Sequence, residues 1–99
     1  MFVKLYRYKI KSKDFPKWKK IINIAGKIYR KHGKNKWTLL TKKEKGLITI
    51  IELGYYKSKN AFIAIKNKVD NDEAINSLFN EFLDVVHEKK IIEDEFKAI

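Results

Sequence analysis

Apolar residues along the 99-residue chain follow two alternating rhythms. Residues 2–11, FVKLYRYKIK, carry aromatic and branched side chains in partial alternation, which predicts a first strand. Phe15, Trp18, Ile22, Ala25, Tyr29 and His32 then recur at steps of three and four, with Ile21 and Ile28 widening the stripe, so a helix with one buried face follows. Asp14 is placed to cap it, Pro16 fits its first turn and Gly33 supplies a stop, with Arg30, Lys31 and His32 near the negative end of the helix dipole. Trp37–Thr41 reads as a short second strand, KKEKG at 42–46 as a polar turn, and LITIIELGYY at 47–56 as a third strand closing a hairpin. Ser58 caps a short helix containing Ala61, Phe62 and Ile65. Asp70 and Glu73 have capping-box spacing and open a further segment, in which Ile75, Leu78, Phe79, Phe82, Leu83 and Val86 keep helical spacing. The tail at 91–99 is ambiguous; the even spacing of Ile92, Phe96 and Ala98 suits a fourth strand that completes a sheet.

The order β-α-β-β-α-β over residues 1–99 predicts one ferredoxin-like α+β domain: a four-stranded antiparallel sheet with helices on one face. An antiparallel sheet with a wet second face shows apolar and polar residues in alternation. Here both sides are apolar. In strand three Leu47, Ile51, Leu53 and Tyr55 lie on one side and Ile48, Ile50 and Tyr56 on the other; in strand one Val3 and Leu5 oppose Phe2, Tyr6, Tyr8 and Ile10. Helices cover one side only, and a second copy of the sheet is the simplest cover for the other. An apolar patch of roughly 500 Å² per subunit at ~25 cal/mol per Å² gives on the order of 10 kcal/mol gross, before association costs. This reading puts Phe2, Ile48 and Ile50 on the side that the second copy hides.

A chain of this length holds one domain, and its 44% apolar and 13% aromatic content suffices for a packed core. No apolar run approaches the roughly 20 residues of a membrane span, and the N-terminus MFVKLYRYKIK lacks a signal peptide's apolar block, so a soluble, cytoplasmic protein without membrane contact is expected. With no cysteine and two histidines, disulfides, thiolate nucleophiles and Cys-containing zinc sites are excluded, and no metal site is expected. The net charge of +11 invites a nucleic-acid partner, but only Arg7 and Arg30 among 23 basic residues are arginine, the side chain that reads phosphates and bases best. Charge is also lopsided. Residues 1–68 hold 20 Lys/Arg against three acids, residues 69–99 three lysines against nine acids, a polarity able to orient self-association or steer a ligand.

Strand three followed by Tyr56-Lys57-Ser58-Lys59-Asn60-Ala61-Phe62 resembles the dimeric α/β-barrel proteins of the antibiotic-biosynthesis-monooxygenase type, in which an aromatic ends that strand and a Ser, then Ala plus an aromatic, open the next helix. The first helix, ending Tyr29-Arg30-Lys31-His32-Gly33, is similar too, and the element order agrees over nearly the whole chain. The resemblance implies a homodimer of ferredoxin-like subunits joined through their sheet faces, each with a pocket for a small aromatic or apolar molecule. For the family's monooxygenases it implies oxygenase chemistry without a cofactor. Haem-degrading members carry an Asn on strand one, a Trp on the helix after strand three and a His on the following helix. Strand one here offers Tyr6, Arg7 and Tyr8, Ile65 falls where the Trp would lie, and no His occurs between residues 33 and 86. No cofactor is therefore expected.

Candidate ligand-binding residues are Tyr6, Tyr8, His32, Trp37, Glu52, Tyr55 and Tyr56; no residue is assigned a catalytic role. The aromatic groups supply apolar wall and hydrogen bonds, or equally sheet core and dimer interface. His32 offers an imidazole, a side chain that serves as general acid or base, yet a His before a C-terminal Gly also caps helix carbonyls, and His87 at the close of the acidic helix invites the same reading. Glu52 interrupts an apolar strand, so it pairs with Arg7, its natural partner if strands one and three are neighbours, or with a lysine, faces solvent, or sits as a buried carboxylate. Two alternatives stay open. An RNA-binding domain of the RRM type shares the element order and stacks bases on strands one and three; Lys45-Gly46-Leu47-Ile48-Thr49-Ile50 begins like its strand-three motif but places Leu47 and Thr49 where rings are needed. A structural or regulatory dimer without catalysis needs no further residues.

Overall fold

The computed structural model describes residues 1–33 and 36–99. Strand β1 (Phe2–Lys11) leads through a 3-10 turn, Ser12–Asp14, into helix α1 (Phe15–Lys31); β2 (Lys36–Glu44) and β3 (Leu47–Tyr56) form a hairpin, and α2 (Lys59–Asp70), α3 (Glu73–Val85) and β4 (Val86–Lys97) follow. The sheet order is β2-β3-β1-β4 with every pair antiparallel, the ferredoxin-like arrangement. β1 and β3 occupy the expected residues. The hairpin is tighter than expected: β2 runs on through its lysines to Glu44, and the turn is Lys45-Gly46 alone, both at positive φ (48° and 80°), the geometry that matches strand twist. Solvated lysines do not break a ladder held by main-chain bonds.

The helical half also differs in detail. Asp14 sits at the α1 N-cap without a side-chain cap bond, because the preceding 3-10 turn holds it in helical conformation. Gly33 follows the C-cap at φ 106°, as a left-handed stop requires. Ser58 caps α2, accepting from Ala61 N at 3.1 Å. The capping box expected at Asp70 and Glu73 does not form. Asp70 closes α2, where it meets Lys66 four residues earlier, and Asp72 caps α3 by accepting from Ala74 N at 3.1 Å. α3 ends at Val85, so His87 lies in β4, 3.6 Å from Glu88, rather than on a helix end.

Cross-strand pairs show which side the helices cover. Ile10↔Ile48, Tyr8↔Ile50, Tyr6↔Glu52, Lys4↔Gly54 and Phe2↔Tyr56 share one face. On it Ile10, Ile48 and Ile50 are fully buried with Val69 of α2, around Trp18, Ile21, Ile22 and Leu78. Phe2, Ile48 and Ile50 therefore lie under this chain's own helices, not on the side left for a second copy. The open face carries Val3, Leu5, Leu47, Ile51, Leu53 and Tyr55 instead. The alternation grouped these residues by side correctly, but with both sides apolar it could not say which side the helices would take. β4 joins β1 irregularly, pairing Val86 with Ile10 but Ile91 with Tyr8, and Glu88 and Lys89 in between have positive φ (56° and 49°).

One ion cluster ties α1 to α3. His32 Nε2 lies 2.9 Å and Lys31 Nζ 3.2 Å from the same Asp72 oxygen. The His32 bond first, then the Ala74 N–H and Lys31, bring the Asp72 carboxyl from its ordinary 3.8 down to about 2. A carboxyl held below its unfolded value adds stability above that value and loses it as pH falls through the folded one, here between roughly pH 4 and pH 2. Asp72→Asn keeps a cap acceptor but not the charge. The variant is expected to be less stable than the wild type at neutral pH, with the gap in urea midpoints closing across that acid window.

Candidate functional site

A cavity of about 590 Å³ lies between the helix-covered face of the sheet and the helices. Its floor is Tyr6 and Tyr8 of β1, Glu52 of β3 and Ile91 and Glu93 of β4. The period-two geometry of β1 sends both tyrosines helixward, and the register sets Glu52 directly across from Tyr6. Ile21, Ile22, Ala25 and Tyr29, on the inner stripe of α1, make one wall. Lys66 and Asp70 come from α2, and α3 contributes its apolar face together with Asn76 and Asn80.

A directed hydrogen-bond chain runs along the floor. Trp18 Nε1 donates to Tyr8 Oη at 2.7 Å, and Tyr8 Oη donates to Glu52 Oε2 at 2.5 Å. The direction is forced: an indole N–H can only donate, so the phenol oxygen accepts from it and its one proton goes to the carboxylate. The Phe82 ring stands edge-on to Tyr8 at 4.9 Å and fixes its plane. Burial first, then the Glu52 charge and its hydrogen bond, push the Tyr8 hydroxyl far above the ordinary phenol range, with the Trp18 bond opposing. Tyr6 and Tyr29 are raised likewise, by burial and then by neighbouring tyrosines and carboxylates, and Tyr56 is pushed up to about 12 by burial and Glu52. All four phenols keep their protons at neutral pH.

Of the residues singled out in the sequence, Tyr6, Tyr8 and Glu52 converge on the cavity. Tyr56 shares their face but packs at its far end with Phe2 and Phe62, ring centroids 6.4 and 5.0 Å away. Trp37 is half-buried against α1, where a Cβ on Gly26 would meet its Cζ3 at 3.1 Å. His32 does not line the cavity; it holds Asp72. Tyr55 is on the open face, with Lys36 Nζ 5.0 Å from its ring centroid. The Arg7–Glu52 ion pair is not made: Arg7 stands opposite Ile51, exposed on the open face, while Glu52 points the other way. Sequence reasoning left out Tyr29 and Glu93 as site residues. Tyr29 was already visible in the helical stripe, whereas Glu93 depends on the irregularity in β4. It also left out Lys4, which is buried at 7% exposure between Glu93 (3.1 Å) and Glu95 (3.5 Å).

No protein-family model matches the chain, and no curated protein matches its sequence. Solved structures do. A NIPSNAP domain protein from Burkholderia xenovorans has a TM-score of 0.81 at 14% identity, covering 100% of this chain and 95% of that one. A structure described as an antibiotic biosynthesis monooxygenase gives 0.74 at 10% identity, covering 100% and 99%. SnoaB, a cofactor-independent oxygenase from Streptomyces nogalater, gives 0.72 at 9% identity, covering 99% and 93%. At such identities the likeness is one of fold. The chain thus has the ferredoxin-like fold shared by NIPSNAP and antibiotic biosynthesis monooxygenase proteins.

Proposed function

We propose that this chain binds a small aromatic or apolar molecule in its cavity and works as a homodimer joined through the open faces of its sheets. The observation that carries the binding reading is the cavity itself: its volume of about 590 Å³ falls inside the ~300–1,000 Å³ range of ligand sites, with apolar walls and few polar groups on its floor. Apolar contact supplies affinity, and Glu52 with the tyrosine hydroxyls supplies orientation. SnoaB's activity suggests a catalytic extension. Glu52, which accepts the Tyr8 hydrogen bond, takes a proton from the bound substrate, and the substrate anion passes one electron to dioxygen, giving a substrate radical and superoxide that combine. This extension uses no cofactor.

Support for the homodimer comes from the open face, where Leu40, Ile92 and Phe96 are 49%, 43% and 50% exposed beside the apolar row of β1 and β3. Contiguous apolar surface of this kind marks an interaction site, unlike apolar residues scattered singly. The RRM alternative loses its main support, because Tyr6 and Tyr8 lie beneath the helices instead of on the open side where bases would stack.

Filling the cavity tests the binding reading. Ala25→Phe sends a phenyl group in from α1, and calorimetric titration with naphthalenemethanol is expected to show affinity at least about tenfold below wild type. Light scattering should show the same oligomeric state for both proteins. Equal affinity in the two proteins would mean that the ligand binds elsewhere.

A further inference from the structure

We infer that Arg7 of each subunit pairs with Asp94 of the partner subunit, so that one salt bridge is made twice across the sheet-to-sheet contact and sets how the two sheets lie on each other. This rests on the reading of the open face as a dimer contact and names the polar groups that choose its partner. The middle of that face is apolar except in two places. In the row of Leu53 and Leu5 the exception is Asp94 of β4, and in the next row, between Ile51 and Ile92, it is Arg7 of β1. β2 brings Thr38 and Leu40 to the same two rows, and neither is charged. Arg7 and Asp94 are both exposed. Among the described residues neither makes an ion pair; Asp94 Oδ1 accepts from the Glu95 N–H at 2.8 Å, and its second oxygen has no bond there.

A second sheet laid over these rows takes water from both groups. Left unpaired, they would oppose the contact that the surrounding leucines and isoleucines favour, because a charge that loses its water without gaining a partner is strongly unfavourable. Two-fold symmetry resolves this: whatever Arg7 of one subunit meets, the other Arg7 meets as well, so one complementary pair appears twice. The rest of the face leaves Arg7 little choice. Register places further lysines there, Lys9 and Lys42 among them, and one more acid, Glu44, which Lys42 already holds at 2.9 Å. Asp94 is the acid that stays available, and the planar fork of a guanidinium suits a carboxylate. The polarity of the whole chain acts in the same sense. Residues 1–68 are basic and 69–99 acidic, so β1 of one subunit is drawn over β4 of the other.

The test is a charge swap between chains. Arg7→Asp and Asp94→Arg are purified separately as full chains, and far-ultraviolet circular dichroism checks that each keeps the fold, as their exposed positions lead one to expect. Each variant alone brings like charges together twice, and its dimer dissociation constant should rise at least about tenfold over wild type. Mixed in equal amounts, the two should return to dimers within a few-fold of wild-type affinity, and native mass spectrometry should show that these are heterodimers, since only the mixed pair joins opposite charges at both contacts. A third chain carrying both reversals should dimerise with itself. Either single variant dimerising as well as wild type, or a mixture no more dimeric than its components, overturns the Arg7–Asp94 pairing and leaves the dimer standing. Rescue by the double variant but not by the mixture also overturns it, by placing the pair inside one chain. A wild type that is monomeric at tens of micromolar overturns the dimer reading itself.

Discussion

Leu53→Asp is expected to turn a dimer into a monomer. Leu53 lies on an inner strand of the open face, across from Leu5 on β1 and Thr38 on β2, with Ile51 and Tyr55 before and after it on the same side. No basic residue stands directly opposite on either neighbouring strand. Against a second sheet, a carboxylate at this position loses its water without gaining a partner, at a cost of about 3–5 kcal/mol, or two to three orders of magnitude in the dimer dissociation constant. In the isolated subunit the same carboxylate faces solvent, so the fold should persist. Light scattering at tens of micromolar, read beside far-ultraviolet circular dichroism, is expected to show a dimeric wild type and a folded monomeric variant. A wild type that is monomeric at that concentration would remove the sheet-to-sheet dimer, and the apolar open face would then need a different partner.

Trp18→Ala is expected to cost about 3–5 kcal/mol of stability, a large share of the ~5–15 kcal/mol that holds a domain of this size. Trp18 is 3% exposed, stacks on Phe15 with ring centroids 5.5 Å apart, and donates to Tyr8. Truncation empties a volume at the centre of the α1–sheet contact and removes the donor that orients Tyr8. Trp18→Phe separates these effects, since most of the ring volume stays and only the hydrogen bond is lost, at about 1–2 kcal/mol. Urea unfolding of the three proteins at neutral pH should give midpoints in the order wild type, Trp18→Phe, Trp18→Ala. Equal midpoints for the two variants would mean that the hydrogen bond, and not the packing, is what Trp18 contributes.

The fold was legible in the sequence because its main elements are patterned by a single period each. Phe2–Lys11 and Leu47–Tyr56 alternate, α1 repeats at three and four, and the order of elements leaves few topologies. The boundaries that shifted are those with no burial to mark them. β2 extends through exposed lysines, and Asp70 and Asp72 differ only in which one the chain places at a helix start. The site was legible only in part. Tyr6, Tyr8 and Glu52 could be grouped as polar or aromatic interruptions of apolar strands. That Glu52 faces Tyr6, and not Arg7, depends on strand register, which tertiary pairing sets and local pattern does not. His32, Trp37 and Tyr55 stand out by chemical type alone; their directions, toward Asp72, toward Gly26 and onto the open face, come from how helices and sheet pack. The volume of the cavity is a property of that packing alone.

The irregular join in β4 works much like a frameshift built into the strand. A regular ladder continuing from Ile10↔Val86 would bring residue 88 opposite Tyr8, but the structure brings Ile91, an offset of three. Because an odd offset exchanges the two sides of a strand, it is this join that sends Glu93 and Glu95 toward Lys4 and the cavity, and leaves Ile92 and Phe96 facing outward. A slip of the far part of the strand by one residue against β1 would turn the two acids outward and the two large apolar groups in, whereas a change confined to the residues between the pairs Ile10↔Val86 and Tyr8↔Ile91 would leave them facing as they do. Such a slip would alter the cavity floor and the open face of the sheet together, while the chain kept its sequence.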